Sequence, residues 1–193
     1  MQIKGIYEDY LGTSGIRHLI SLARKHDVGI IAMKTLKVGG NRQDLGKYET
    51  EGQSIFQLML KWALSNPNIA SVVTEMLTFE QMEEDLAVTG QELTVAQTRS
   101  LYRFVAENSE NYCHMCSLCQ SRCPSGIKTT EIQRCLSYYE SYAKHRRAMA
   151  EYAGLNSKVN GQECTRCGLC EKICPYGVSV RKRIQKALRL LGG

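Results

Sequence analysis

The spacing of eight cysteines constrains this chain more than any other feature. Cys113, Cys116, Cys119 and Cys123 recur as Cys164, Cys167, Cys170 and Cys174, a constant shift of 51 residues. Each set reads C-x2-C-x2-C-x3-C, and each closes on a proline, Pro124 and Pro175. The flanks repeat as well: Cys123-Pro124-Ser125-Gly126-Ile127 matches Cys174-Pro175-Tyr176-Gly177-Val178. The ninth cysteine, Cys135, lies between the sets and is expected to be a small buried hydrophobe. Residues 1–112 contain no cysteine at all.

Three thiolates at three-residue spacing let a tight loop wrap three corners of an iron–sulfur cube. A fourth, set beyond a stiff proline turn, points away toward a second cube. The spacing therefore predicts two [4Fe–4S] clusters. One takes Cys113, Cys116, Cys119 and Cys174, and the other takes Cys164, Cys167, Cys170 and Cys123. Ser117 and Gly168 are small enough to leave backbone N–H groups free to face cluster sulfurs. The alternative is zinc, which four cysteines can also hold as a tetrahedral site. The third cysteine of each run and the two Cys-Pro pairs favour iron–sulfur. A disulfide framework belongs to small secreted domains. The first residues carry no apolar signal segment, so a reducing, cytoplasmic setting is expected.

The formal charge of +6 invites a nucleic-acid reading. Four thiolates on a core of charge 2+ leave about −2 per site, so two sites bring the chain to about +2. The basic residues then read as counter-charge, and nucleic acid is not an expected partner. No apolar run approaches the ~20 residues of a membrane span, so no membrane span is expected.

Helical periodicity over residues 13–27, with Ser14 as N-cap, precedes an apolar run at Val28–Met33 that reads as a strand buried on both faces. Residues 52–65 return to helical period and stop at Asn66-Pro67. Ile69–Thr74 reads as a second strand, expected to run parallel to the first. Thr78-Phe79-Glu80-Gln81 and Thr94-Val95-Ala96-Gln97 match capping boxes, the second opening a helix over 95–108. Helices are expected again at 130–150 and 180–191. The domains are expected at 1–92 and 93–193.

The separation of 41 positions from Cys123 to Cys164, with helices between and after the motifs, resembles the α-helical dicluster ferredoxins, electron-relay domains of larger oxidoreductases. In the N-terminal half, Gly29–Leu36, Leu60–Pro67, Ser71–Met76 and Glu80–Leu86 resemble the last strands and helices of the aldo/keto reductases, one branch of which carries a C-terminal ferredoxin domain. The fold class this implies is α/β: a partial (β/α) barrel fragment followed by a mainly α-helical dicluster ferredoxin-type domain. The resemblance also implies NADPH contacts at Lys34, Leu36, Gln81, Glu84 and Asp85. Glu75 and Asp85 stand where that family has glycine and asparagine, and both add negative charge near a phosphate site. The family's catalytic Asp, Tyr, Lys and His come from earlier strands and match nothing here. Tyr10, His18, His26 and Lys34 do not replace them.

The expected function is an iron–sulfur electron-transfer protein linked to a reductase-like unit. The alternative is an NADPH-dependent aldo/keto reductase whose catalytic half lies outside this chain. Either reading calls for a redox partner protein or the missing barrel half. The unpaired edges of a short sheet add homo-oligomerisation as a further expectation.

Overall fold

The computed structural model describes residues 13–36 and 42–192. They form two compact units, the first running to Glu107 and the second taking the chain from Asn108 onward together with Arg42.

In the first unit, α1 (Thr13–Lys25) leads into β1 (Ile30–Met33), and α2 (Ile55–Leu64) leads into β2 (Ile69–Val73). They are followed by α3 (Phe79–Leu86) and α4 (Val95–Asn108). Ser14 falls inside α1 rather than before it. The strands pair in parallel, Ile31 opposite Ser71 and Met33 opposite Val73, with a slip between Ile30 and Ile31. Proline and asparagine end α2 as the sequence indicates, and a capping box from Ser54 to Gln57 opens it. Thr94 and Gln97 form a second reciprocal box, with Thr94 Oγ1 accepting at 3.1 Å and Gln97 Oε1 at 3.2 Å. At α3 the box is only half made. Thr78 Oγ1 accepts from Gln81 N, while Gln81 Oε1 takes the Leu77 N–H instead.

Two sequence expectations need correction here. The strand at Val28–Met33 is not buried on both faces: Ala32 is covered, but Ile31 is 62% and Met33 69% exposed. The (β/α) barrel fragment is not seen as a barrel either. The described residues hold one two-stranded parallel sheet in a mostly helical chain. Two strands cannot curl into a closed wall, and a parallel pair needs layers on both faces to bury its side chains.

The core of this unit is instead α2 with Leu45, Tyr48, Val88 and the inner face of α4. Tyr48 meets Phe104 edge-on, centroids 5.1 Å apart, and Ser100 Oγ donates to the Tyr48 carbonyl at 2.6 Å. These contacts tie α4 up to Glu107 to the first unit. Buried Lys61 gives its Nζ to Gln53 Oε1 and Gln97 Oε1, at 3.0 and 2.7 Å.

The second unit is two copies of one pattern. A short helix α5 (Leu118–Ser121) precedes α6 (Thr129–Glu140), and after α7 (His145–Ala153) the pair recurs as α8 (Leu169–Lys172) and α9 (Val180–Leu191). The shift of 51 holds in the backbone: Met115 and Arg166, Ser117 and Gly168, and Gly126 and Gly177 all have positive φ. The expected helix 130–150 is split in two, because Ala143 turns left-handed and Lys144 N bonds back to the Tyr138 carbonyl. Ile132, Leu136 and Cys135 of α6 pack with Ile184, Ala187 and Leu191 of α9 and with Ala148 and Tyr152 of α7. Arg183 of α9 is buried with them. It donates to Gln133 Oε1 and pairs with Glu140 at 2.9 Å.

Gly161 enters this core at φ +107, and a Cβ there would lie 2.6 Å from Ile184 Cγ2. A Gly161→Ala change adds both a left-handed penalty and an overlap, so it is expected to cost about 2–3 kcal/mol. Gly126, with open space around its Cβ position, carries the backbone penalty alone, about 1 kcal/mol for alanine. Urea midpoints of the two variants measure the difference.

Candidate metal centre

None of the nine cysteines is in a disulfide, and the eight of the repeat are half-buried except Cys167, which is exposed. A small cavity of about 20 Å³, partly open to solvent, is walled by Cys164, Cys167 and Cys170 from one motif and by Cys123 from the other. Ile127, Thr129, Ile184, Arg166 and Arg181 are also in its lining. Cys119, of the first motif, lies close enough to Cys116 and Cys174 to feel both electrostatically. Each motif's run of three thus neighbours the other motif's fourth cysteine. The two sets approach each other at Cys119 and Cys170, carried by the packed helices α5 and α8.

Local backbone explains how short loops reach this arrangement. Each C-x2-C-x2-C run holds two left-handed residues, Met115 (φ 55) and Ser117 (φ 63) in one and Arg166 (φ 58) and Gly168 (φ 78) in the other. Left-handed turns of this kind are a common element of backbone nests for anions. Met115 N already points at Cys113 Sγ, 3.3 Å away. Each short helix then holds the following long helix by a side-chain cap. Gln120 Oε1 accepts from Thr130 N at 3.1 Å, and Glu171 Oε1 from Arg181 N at 2.9 Å. Sequence reading missed this pair, although positions 120 and 171 stand 51 apart. It also missed Thr129, whose hydroxyl lies 3.1 Å from Cys119 Sγ, and the stack of His114 on Tyr176.

Burial raises the Cys119 thiol above its ordinary pKa against the opposing hydrogen bond from Thr129. Burial, then the Glu171 carboxylate, pushes Cys170 up to about 11. These thiols keep their protons at neutral pH until a metal displaces them. The set fits a polynuclear group: soft donors from both motifs spread round one cavity. Among the described residues, no three His, Cys, Asp or Glu side chains converge as a single-ion site.

Residues 109–178 match the family model of the 4Fe-4S dicluster domain. The chain thus carries an iron–sulfur, ferredoxin-type domain. No curated protein and no solved structure matches the chain, and nothing found supports the aldo/keto reductase resemblance. No helix among the described residues is long and apolar enough to cross a membrane.

The five residues expected to touch NADPH lie outside the dicluster domain, and several are engaged locally. Lys34 is exposed and left-handed (φ 58), and Leu36 is half-buried. Gln81 holds the Leu77 N–H, and Glu84 takes a hydrogen bond from Ser54 Oγ. Burial raises the Asp85 carboxyl, opposed by a hydrogen bond with Thr74.

Cys135 is 1% exposed in the core of the dicluster domain, and its thiol is pushed up to about 11, chiefly by burial and then by Glu151. The folded chain holds this proton more tightly than the unfolded chain, whose thiol titrates near 9. The stability this contributes is complete below pH 9 and lost as the pH rises towards 11. Urea midpoints of the loaded chain should fall across that window, with a shallower fall in Cys135→Ala. Iodoacetamide at pH 8 should leave the native Cys135 unmodified.

Proposed function

We propose that this chain is an electron-transfer protein carrying two [4Fe–4S] clusters. One is held by Cys113, Cys116, Cys119 and Cys174, and the other by Cys164, Cys167, Cys170 and Cys123. The observation that carries the reading is the mixed wall of the cavity, where Cys123 joins the three closely spaced cysteines of the other motif. A bound cluster supplies reversible one-electron chemistry. The chain supplies the thiolates, the backbone N–H groups of the left-handed turns, and an apolar backing of Ile127 and Ile184. Loaded anaerobically, the chain is expected to bind about eight iron and eight sulfide. Cys174→Ala should remove the EPR signal of the cluster held by Cys113, Cys116 and Cys119, and Cys123→Ala should remove the other. Loss of only the cluster next in sequence would overturn the crossed pairing, and two zinc ions in a colourless protein would overturn the iron–sulfur reading.

We assign no carbonyl reduction to the chain by itself. A hydride is a two-electron donor, and splitting it between one-electron sites calls for a flavin, for which the sequence holds no motif. The local engagement of Gln81 and Glu84 and the charges of Glu75 and Asp85 all oppose a dinucleotide phosphate. Titration with NADPH is therefore expected to leave Trp62 fluorescence unchanged, and saturable quenching would reopen the reductase reading. A redox partner and a docked second copy both remain within the proposal, the latter through the uncovered strand side chains Ile31 and Met33.

A further inference from the structure

The internal repeat supplies its own control. Every residue around one cysteine set has a counterpart 51 positions away on the same backbone. Differences between counterparts beside the cysteines are therefore informative about what each site faces.

Three rings pack together among the residues that flank the first set. His114 stacks on Tyr176 at 3.7 Å and 15°, and Tyr112 meets His114 edge-on at 4.9 Å. His114 is only 9% exposed, and none of Cys113, Cys116, Cys119 and Cys174 is exposed. At the second set the counterparts of Tyr112, His114 and Tyr176 are Glu163, Thr165 and Ser125. The rings are gone, Cys167 is exposed, and the cavity opens to solvent.

Charge differs in the same sense. Arg166, Lys172 and Arg181 replace Met115, Ser121 and Thr130. The segment that carries Cys123 adds Arg122 and Lys128, where the Cys174 segment has Ile173 and Ser179. All five cations are exposed, and Arg166 and Arg181 line the cavity itself. The second motif and its flank also carry two carboxylates. Glu171 is paired with Arg181 at 2.7 Å, and Glu163 is exposed. Around the first set, the counterparts of these seven charged residues are all uncharged. Cations needed only to neutralise a bound anion would be needed at both sites, since both sites are built from the same ligands. The excess at one mouth matches an anionic surface arriving from outside.

We infer that the second site is the electron port of the chain and that its cationic mouth docks an acidic one-electron carrier protein. The inference rests on the two-cluster reading. One electron passes between the second site and the docked carrier, so that one side is oxidised and the other reduced by one unit. No bond forms or breaks. The first site, flanked by its rings, exchanges with the second where Cys119 and Cys170 approach.

The test uses the full, loaded chain and a flavodoxin, an acidic one-electron flavoprotein. Stopped-flow mixing of reduced chain with oxidised flavodoxin should give a rate that falls about tenfold between roughly 50 and 500 mM salt. Lys128→Glu/Lys172→Glu should slow it about tenfold at low salt. Arg146→Glu/Arg189→Glu, an equal change of net charge elsewhere on the domain, should change it less than about twofold. Hydrogen exchange should show flavodoxin protecting residues 164–172 rather than 113–121. Equal slowing by both double variants, no slowing by the first, or protection at 113–121 would overturn the inference. So would loss of single-stranded DNA binding in the first variant with an unchanged flavodoxin rate. Iron content separates the two claims: failure with about eight iron bound overturns the port alone, while iron well below that overturns the two-cluster reading and the port with it.

Discussion

The dicluster domain depends on the packing of α6 against α9. Each helix follows a Cys-Pro turn and is held at its first turn by the preceding short helix, through Gln120 in one copy and Glu171 in the other. Burying Ile132, Leu136, Ile184 and Ala187 in one core fixes the two turns relative to each other. That in turn brings Cys123 to the wall of the second motif. The buried Arg183–Glu140 pair crosses the same interface. It breaks the repeat, since Ile132 and Leu191 occupy the counterpart positions. A pair of this kind contributes less to stability than to holding two similar helices in one register.

Much of the domain was legible because its chemistry is local. Thiolate spacing, Cys-Pro turns and the shift of 51 all lie in short stretches, and the bounds of α4 and α9 follow from a capping box and from the repeat. The split between α6 and α7 was not legible, because it turns on Ala143 adopting a left-handed conformation that alanine composition gives no hint of. The stack of His114 on Tyr176 joins residues 62 positions apart, beyond the reach of any periodicity. Thr129 was hidden for the same reason: its role is set by where Cys119 lies in space, not by what flanks it.

The first unit was read less well. Val28–Met33 has the composition of a strand buried on both faces, yet burial depends on layers that the strand does not itself encode. Its β-branched residues mark it as a strand former, in keeping with the parallel pairing. Without covering layers, Ile31 and Met33 are left exposed. Lys61 shows the opposite error of silence. A lysine in an amphipathic helix reads as surface, yet here it is buried with two glutamine oxygens as partners.

The mixed wall of the cavity also has a meaning in time. A chain growing on the ribosome exposes Cys113, Cys116, Cys119 and Cys123 well before Cys164 has been made. Until the last motif emerges, the earlier thiols face no opposite wall and have no finished cradle to enter. Synthesis therefore passes through an interval in which five cysteines, Cys135 among them, are present without the second motif. The raised pKa of Cys119, once its pocket closes, keeps that thiol in its less reactive form. Maturation of such a domain is a race between finishing the chain and oxidation of the cysteines already made.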